Sequence, residues 1–421
     1  MRMNHFHYRG DDLYCELVPV SRIASEVGTP AYIYSHATLT QHFQAFDQAF
    51  AGVPHLVCFA LKANANLAVL KLFSDLGSGL DVVSGGELFR GLKAGVPPQR
   101  IVYAGVGKSR DEIAYALKAD ILMFNVESGQ ELRAIHEVAS GMGAKARVAL
   151  RVNPDVDPKT HPYIATGLKQ SKFGIDIGRA LEVYEAARAL SSLEVVGIHQ
   201  HIGSQITEVG PFVDSLEKTA ALLRTLRQRG MEIRYFNIGG GLGITYKDEA
   251  PPSPGELARA LTGVIHDLDV TVVLEPGRVL VGNAAILVTR ILYTKETSAK
   301  NFFIVDAGMN DLARPSLYGS YHTIQPVRRD TERPGVVVDV VGPICESADF
   351  LAKDRDLPRC QSGELLAVMS AGAYGHTMSS NYNARPRTPE VLVRGDRYYV
   401  VRERESYDDL VRGERTLDEL T

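Results

Sequence analysis

The sequence predicts a (β/α)8 barrel, of the TIM type, followed by a mostly antiparallel β-domain, and three observations carry that prediction. Eight short runs rich in strand formers alternate with helical patterns over roughly 250 residues, the usual span of such a barrel. Polar and glycine-rich motifs fall at the carboxyl ends of those runs. After about Val279 the pattern changes to alternating apolar runs broken by Gly, Pro and Asp.

The barrel strands are expected near Leu56–Ala60, Leu80–Ser84, Ile101–Ala104, Ile121–Val126, Ala146–Val152, Val195–Gln200, Arg234–Ile238 and Thr271–Glu275. Helical periodicity lies between them at Leu181–Leu190, Phe212–Arg229 and Leu257–Leu268, and Asp111–Lys118 follows the capping box Ser109-Arg-Asp-Glu112. A doubly wound open sheet is the competing arrangement. The β-domain runs are Ala285–Tyr293, Phe302–Val305, Val336–Val341, Leu365–Met369 and Tyr398–Val401. These divisions predict a barrel over residues 30–279. Residues 280–421 form the β-domain, to which residues 1–29 contribute through an Arg9-Gly-Asp-Asp12 turn.

Composition narrows the class further. The chain has 421 residues, 45% hydrophobic and 23% charged, with a net charge of -4. That balance gives no reason to expect a nucleic-acid partner. Met1–Tyr8 carries no apolar h-region, and no run approaches membrane-spanning length. Cys15, Cys58, Cys345 and Cys360 form no CxxC pair and no zinc spacing, so no metal is expected and the reducing cytoplasm is the expected location.

The chemistry-bearing motifs gather at the expected strand ends. Lys62, in Cys58-Phe-Ala-Leu-Lys-Ala-Asn64, leaves the end of an apolar strand, where low-dielectric surroundings ease loss of its proton and attack on a carbonyl. Asp81 and Ser84-Gly-Gly-Glu87 end strand two, Arg151-Val-Asn-Pro154 strand five, and His199-Gln-His-Ile-Gly-Ser-Gln205 strand six. Gly239-Gly-Gly-Leu-Gly243 follows strand seven, where barrels often bind phosphate, and Glu275-Pro-Gly-Arg278 ends strand eight. Taken singly, each is commoner as a turn glycine or a solvated charge. Six on one rim are much harder to ascribe to chance.

A Schiff-base lysine beside a phosphate cradle suggests pyridoxal 5′-phosphate. Ala60-Leu-Lys-Ala-Asn64, Asp81-Val-Val-Ser-Gly-Gly-Glu87, His201-Ile-Gly-Ser-Gln205, Gly239-Gly-Gly, Glu275-Pro-Gly-Arg278 and Cys345-Glu-Ser347, in that order, resemble the diaminopimelate decarboxylase family. That family belongs with the barrel-type pyridoxal-phosphate enzymes, of alanine racemase-like architecture, that include ornithine decarboxylase. The resemblance implies that Lys62 holds the cofactor and that His201 stacks on its ring. It places Ser204, Gly240, Gly277 and Arg278 at the phosphate and ring, with Asp81 in support and Glu275 on the pyridine nitrogen. Arg314, Tyr318, Glu346 and Tyr374, with Arg278, match substrate contacts, and Tyr374 also lies near the cofactor. Cys345 matches the residue that returns a proton to Cα.

The reaction so implied converts meso-2,6-diaminopimelate to L-lysine and carbon dioxide, the last step of lysine synthesis, in a homodimer with shared active sites. The nearest rival is a decarboxylase of the same fold acting on ornithine, arginine or a carboxylated polyamine. A non-catalytic regulator is expected to lack Lys62 or Cys345, and an unrelated phosphate-binding isomerase leaves Cys345 and the β-domain unexplained.

Overall fold

The computed structural model describes residues 4–158, 160, 166, 167 and 171–420. The chain divides into two compact units: one spans Thr40–Leu280, and the other combines the chain up to Leu39 with the chain from Val281 onward.

The first unit is a closed parallel barrel. Its strands are His55–Ala60, Gly79–Val82, Ile101–Tyr103, Met123–Val126, Ala146–Asn153, Leu193–His199, Tyr235–Asn237 and Thr271–Leu274. Strand four pairs with strand five through Phe124↔Val148, and strand eight returns to strand one through Val272↔His55. That double closure excludes the open sheet. A two-residue strand, Ile175–Asp176, adds to the outer end of strand five. Cys58, Val102, Met123, Ala149, Val196 and Val273 form one buried cluster contributed by strands around the ring.

Local sequence explains why the strand ends share one rim. Ser84, Ser109, Ser128 and Ser253 each accept a hydrogen bond from the backbone N–H of a glutamate three residues on. Such caps satisfy otherwise orphaned amides and start each helix at a defined residue. After strand one, Leu61–Ala63 makes a single 3-10 turn that carries Lys62. Asn66 then caps the helix Leu67–Asp75 by accepting from Ala68, while the Asn64 side chain accepts from the Asn66 N–H. Phe59 and Phe73 pack edge to face at 4.8 Å, fixing strand one on that helix.

The second unit is built on a sheet ordered Phe350–Pro358, Gly335–Val341, Asn301–Val305, Ala285–Glu296, Ala31–Ser35, Glu390–Arg394, Arg397–Arg402. Its pairings are antiparallel except where Asn301–Val305 meets Gly335–Val341 and where Ala31–Ser35 meets Glu390–Arg394. Ile324–Pro326 and Leu365–Val368 pair beside it. The hairpin Phe6–Arg9/Asp12–Cys15 forms around the Gly10–Asp11 turn and places Phe6, Leu13 and Cys15 in a core shared with Ile33, Ile286, Val391 and Val393.

The structure also departs from the sequence reading, which named no strand at Ala31–Ser35, Ile324–Pro326 or Glu390–Arg394. Residues 30–39, assigned there to the barrel, cluster with the second unit because Ala31–Ser35 hydrogen-bonds between Ala285–Glu296 and Glu390–Arg394. The strand Phe350–Pro358 went unpredicted because its centre, Lys353-Asp-Arg-Asp356, is a run of charges. It lies at the end of the sheet order, where charged side chains suit an edge strand.

Glu16 ties the N-terminal hairpin down. Its carboxylate accepts from Ser35 Oγ and Ala37 N, each at 2.8 Å, and from Gly395 N at 2.6 Å, with only 8% of the residue exposed. Glu16→Ala takes the acceptor from the buried Ser35 hydroxyl and from two partly buried amides, at about 1–3 kcal/mol for the unsatisfied groups. Thermal melting should show a lower midpoint for that variant, and an unchanged midpoint would remove Glu16 as the anchor.

Candidate active site

At the barrel rim, Glu275 is a deeply enclosed charge, as is Asp81. Glu275 ends strand eight, is 5% exposed, and accepts from Asn125 Nδ2 at 3.0 Å and Asn237 Nδ2 at 2.6 Å on the same oxygen. His199 Nε2 lies 3.4 Å from the other oxygen. Burial alone would raise this carboxyl, but His199, Lys62 and His201 outweigh it and hold Glu275 well below the usual range. These neighbours favour its ionised form. The Lys62 amine donates to Asp81 Oδ2 at 2.6 Å. Burial and the Glu275 charge push Asp81 upward, against the pull of Lys62. Of the two buried acids, Asp81 is thus the one that takes a proton first.

His201 reaches the rim from the end of strand six. Its Nδ1 accepts the Gly240 N–H at 3.1 Å, so the proton of the neutral ring belongs on Nε2. Burial, with Arg151 and Lys62 nearby, holds His201 well below the ordinary imidazole range. Arg151 donates to Glu127 Oε1 at 2.8 Å and to the His201 carbonyl at 3.2 Å, which makes it a brace for that loop.

The glycine turn is pinned at both ends. Gly239 N–H donates to Asn237 Oδ1 at 2.9 Å, and Gln205 accepts from Ile244 N and donates to Ile244 O. A Cβ on Gly240 would stand 2.0 Å from the Glu275 carbonyl oxygen, so only glycine fits there. Gly277 packs against Ala60 and Ala63, next to Lys62. Arg278 donates to Ser204 Oγ at 3.0 Å and to Tyr246 Oη at 2.7 Å, bringing the strand-six and strand-eight loops together.

The second unit holds the other predicted residues. Arg314 and Tyr318 open and close a five-residue helix, with Arg314 6% exposed. Cys345 and Glu346 lie on an exposed turn. Two contacts join these segments: Ser316 Oγ donates to the Ala348 carbonyl at 2.6 Å, and the Asp349 carboxylate accepts from Met309 N and Ile344 N at 2.7 and 2.6 Å. Asn383 Oδ1 accepts the Cys345 N–H at 3.2 Å, and Tyr382 donates to Glu346. Tyr374 holds a left-handed backbone at φ 55°. Cys15, Cys58 and Cys360 are buried free thiols, whereas Cys345 is exposed.

Comparison with known proteins decides the family. Residues 36–282 match the pyridoxal-binding domain of pyridoxal-dependent decarboxylases. A diaminopimelate decarboxylase of Aquifex aeolicus is 52% identical over 97% of this chain and 96% of its own length. That of Pseudomonas aeruginosa is also 52% identical, over 99% and 100%. The chain belongs to the diaminopimelate decarboxylase family. A solved diaminopimelate decarboxylase of Helicobacter pylori, complexed with L-lysine, superposes with a TM-score of 0.90 at 43% identity, covering 95% of this chain and 99% of that one.

The cofactor of the family is pyridoxal 5′-phosphate, and the barrel's donor set fits it. Lys62 supplies a primary amine, Glu275 a carboxylate whose neighbours favour the ionised form, and Ser204 with the glycine turn a hydroxyl beside backbone of minimal bulk. Asp81 Oδ1 is buried without a hydrogen-bond partner, a polar atom left for a ligand. Among the described residues no cluster of His, Cys, Asp and Glu could hold a metal, and no helix is long and apolar enough to cross a membrane.

Sequence reasoning gave no role to Asn125, Asn237 and Tyr246, and named His199 only as the start of the strand-six motif. The first two carried a usable signal: each is an amide inside an otherwise apolar strand, Met123–Val126 and Tyr235–Asn237, where a polar side chain needs a buried partner. Gly240→Ala forces the turn away from strand eight, with about 1–3 kcal/mol of strain. The variant should melt earlier and bind pyridoxal phosphate more weakly in an absorbance titration. Wild-type affinity would remove Gly240 from the cradle.

Proposed function

We propose that the chain decarboxylates meso-2,6-diaminopimelate to L-lysine and carbon dioxide with Lys62 as the cofactor lysine, Glu275 as the pyridine partner and Cys345 as the proton donor. The observation that carries this reading is the buried carboxylate of Glu275, fixed by Asn125, Asn237 and His199, within a family of diaminopimelate decarboxylases. Bound pyridoxal phosphate supplies a protonated pyridine ring that accepts the electron pair left as carbon dioxide departs. Glu275 keeps that ring nitrogen protonated. His201, held neutral, offers a flat ring without adding a competing cation. Arg278 and Ser204 hold the phosphate side of the site, with Arg278 also available to substrate. Asp81 orients Lys62.

The substrate carries an ammonium and a carboxylate at its far end, so its site needs receptors of both signs. Arg314 supplies a planar fork for the carboxylate and Glu346 a partner for the ammonium, with Tyr318 and Tyr374 as further contacts. Cys345 returns a proton to Cα. Its exposure, with that of Glu346, supports a homodimer in which this turn completes the partner subunit's site. Three buried free thiols support a cytoplasmic location. Ornithine, arginine and polyamine decarboxylation are not favoured, since near-full-length relatives at about half identity are named diaminopimelate decarboxylases.

Borohydride reduction of the yellow holoenzyme should trap the pyridoxyl group on the peptide containing Lys62, and trapping on another lysine would overturn that assignment. Glu275→Gln keeps an acceptor for the two asparagines but loses the charge. Turnover should fall roughly 10²–10³-fold, the scale for one preorganised electrostatic contact, with the cofactor still bound; near-wild-type turnover would refute the pyridine role. Mixing inactive Lys62→Ala and Cys345→Ala proteins should restore activity through heterodimers with one intact site. No restoration despite proven subunit exchange would mean that each chain builds its own site.

A further inference from the structure

Arg314 is held from behind by a residue outside every motif considered so far. His322 is wholly buried, and its Nε2 lies 2.9 Å from Arg314 Nη1. Its other nitrogen, Nδ1, lies 2.9 Å from the Met369 carbonyl oxygen. A carbonyl oxygen can only accept, so the proton of the neutral ring sits on Nδ1. Nε2 then presents a lone pair, which is what a guanidinium N–H requires. Neither contact can be made the other way round.

The far side of this relay is anchored in the sheet. Met369 follows directly on Leu365–Val368, which pairs with Ile324–Pro326 in the register Ile324↔Val368, and Met369 N–H donates to Thr323 O at 2.8 Å. His322 therefore stands at a fixed distance from a strand end. The near side returns to Arg314 because Gly319, left-handed at φ 62°, closes the helix and turns the chain back. Ser320 Oγ then accepts from Arg314 Nη2 at 3.3 Å. Two neutral acceptors thus fix two guanidinium nitrogens without supplying a negative charge.

We propose that His322 is a positioning residue for Arg314: it aims the guanidinium fork and so sets the affinity for a substrate bearing a distal carboxylate. The inference rests on the reading of Arg314 as that receptor. It does not make His322 a participant in bond breaking, and it predicts an effect on KM rather than on kcat.

The test is a kinetic cycle on the holoenzyme with meso-diaminopimelate, using His322→Phe, which fills the ring volume without an acceptor, and His322→Gln, which keeps one. His322→Phe should raise KM roughly tenfold or more, the scale for a hydrogen bond to a charged group, with kcat and the cofactor spectrum near wild type. His322→Gln should recover much of that loss. In an Arg314→Ala background, His322→Phe should add little, because the group it positions is gone. A raised KM in Arg314→Ala with no change in His322→Phe overturns this inference alone. An unchanged KM in Arg314→Ala overturns the receptor assignment and this inference with it. A loss from His322→Phe that is just as large in the Arg314→Ala background, or a lower kcat at unchanged KM, also overturns it, since a general structural defect behaves that way.

Discussion

The rim of the barrel is organised around one buried charge. A carboxylate as enclosed as Glu275 is costly unless it is paired or hydrogen-bonded. Here the partners arrive from around the ring: Asn125 from strand four, His199 from strand six and Asn237 from strand seven. An open sheet would not bring strand four to strand eight. Closure of the barrel is thus what brings the Asn125 amide to Glu275, while His199, Lys62 and His201 favour its ionised form, and an ionised Glu275 in turn pushes the neighbouring Asp81 towards protonation.

The second unit solves a different problem with the same economy of means. Its short helix and its exposed cysteine turn carry little regular structure of their own, and short irregular segments do not hold functional groups rigidly. Cross-links supply the rigidity. Asp349 and Ser316 bind the turn to the preceding segment, Asn383 holds the Cys345 amide, and His322 backs Arg314. Asn383 and Ala384 both adopt left-handed backbone to reach that turn, at φ 54° and 52°, a local strain of the kind found at functional positions.

Most of the barrel was legible because its strands are short apolar runs and one helix start carries the capping box Ser109-Arg-Asp-Glu112, both read locally. The residues at strand ends were legible for the same reason: a lysine or glutamate after an apolar run is conspicuous. Asn125 and Asn237 were not read, because an amide's role is set by what lies across the ring rather than by its neighbours in sequence. His322 was hidden likewise, its partners being eight residues before it and 47 after. The strand Phe350–Pro358 shows the limit on the fold side. Its charges suit an edge position that only the assembled sheet defines.

The strand Ala31–Ser35 has a consequence for the order in which the molecule is made. Its two sheet partners, Ala285–Glu296 and Glu390–Arg394, lie beyond the entire barrel segment. During synthesis the barrel segment is contiguous and can close while the ribosome is still working, because domains generally fold as units. The strand Ala31–Ser35 must wait for its first partner until Ala285–Glu296 has emerged, and for its second until Glu390–Arg394 has. A nascent chain stalled before Glu390 therefore displays an unpaired strand edge, the kind of surface chaperones shield and neighbouring chains adhere to.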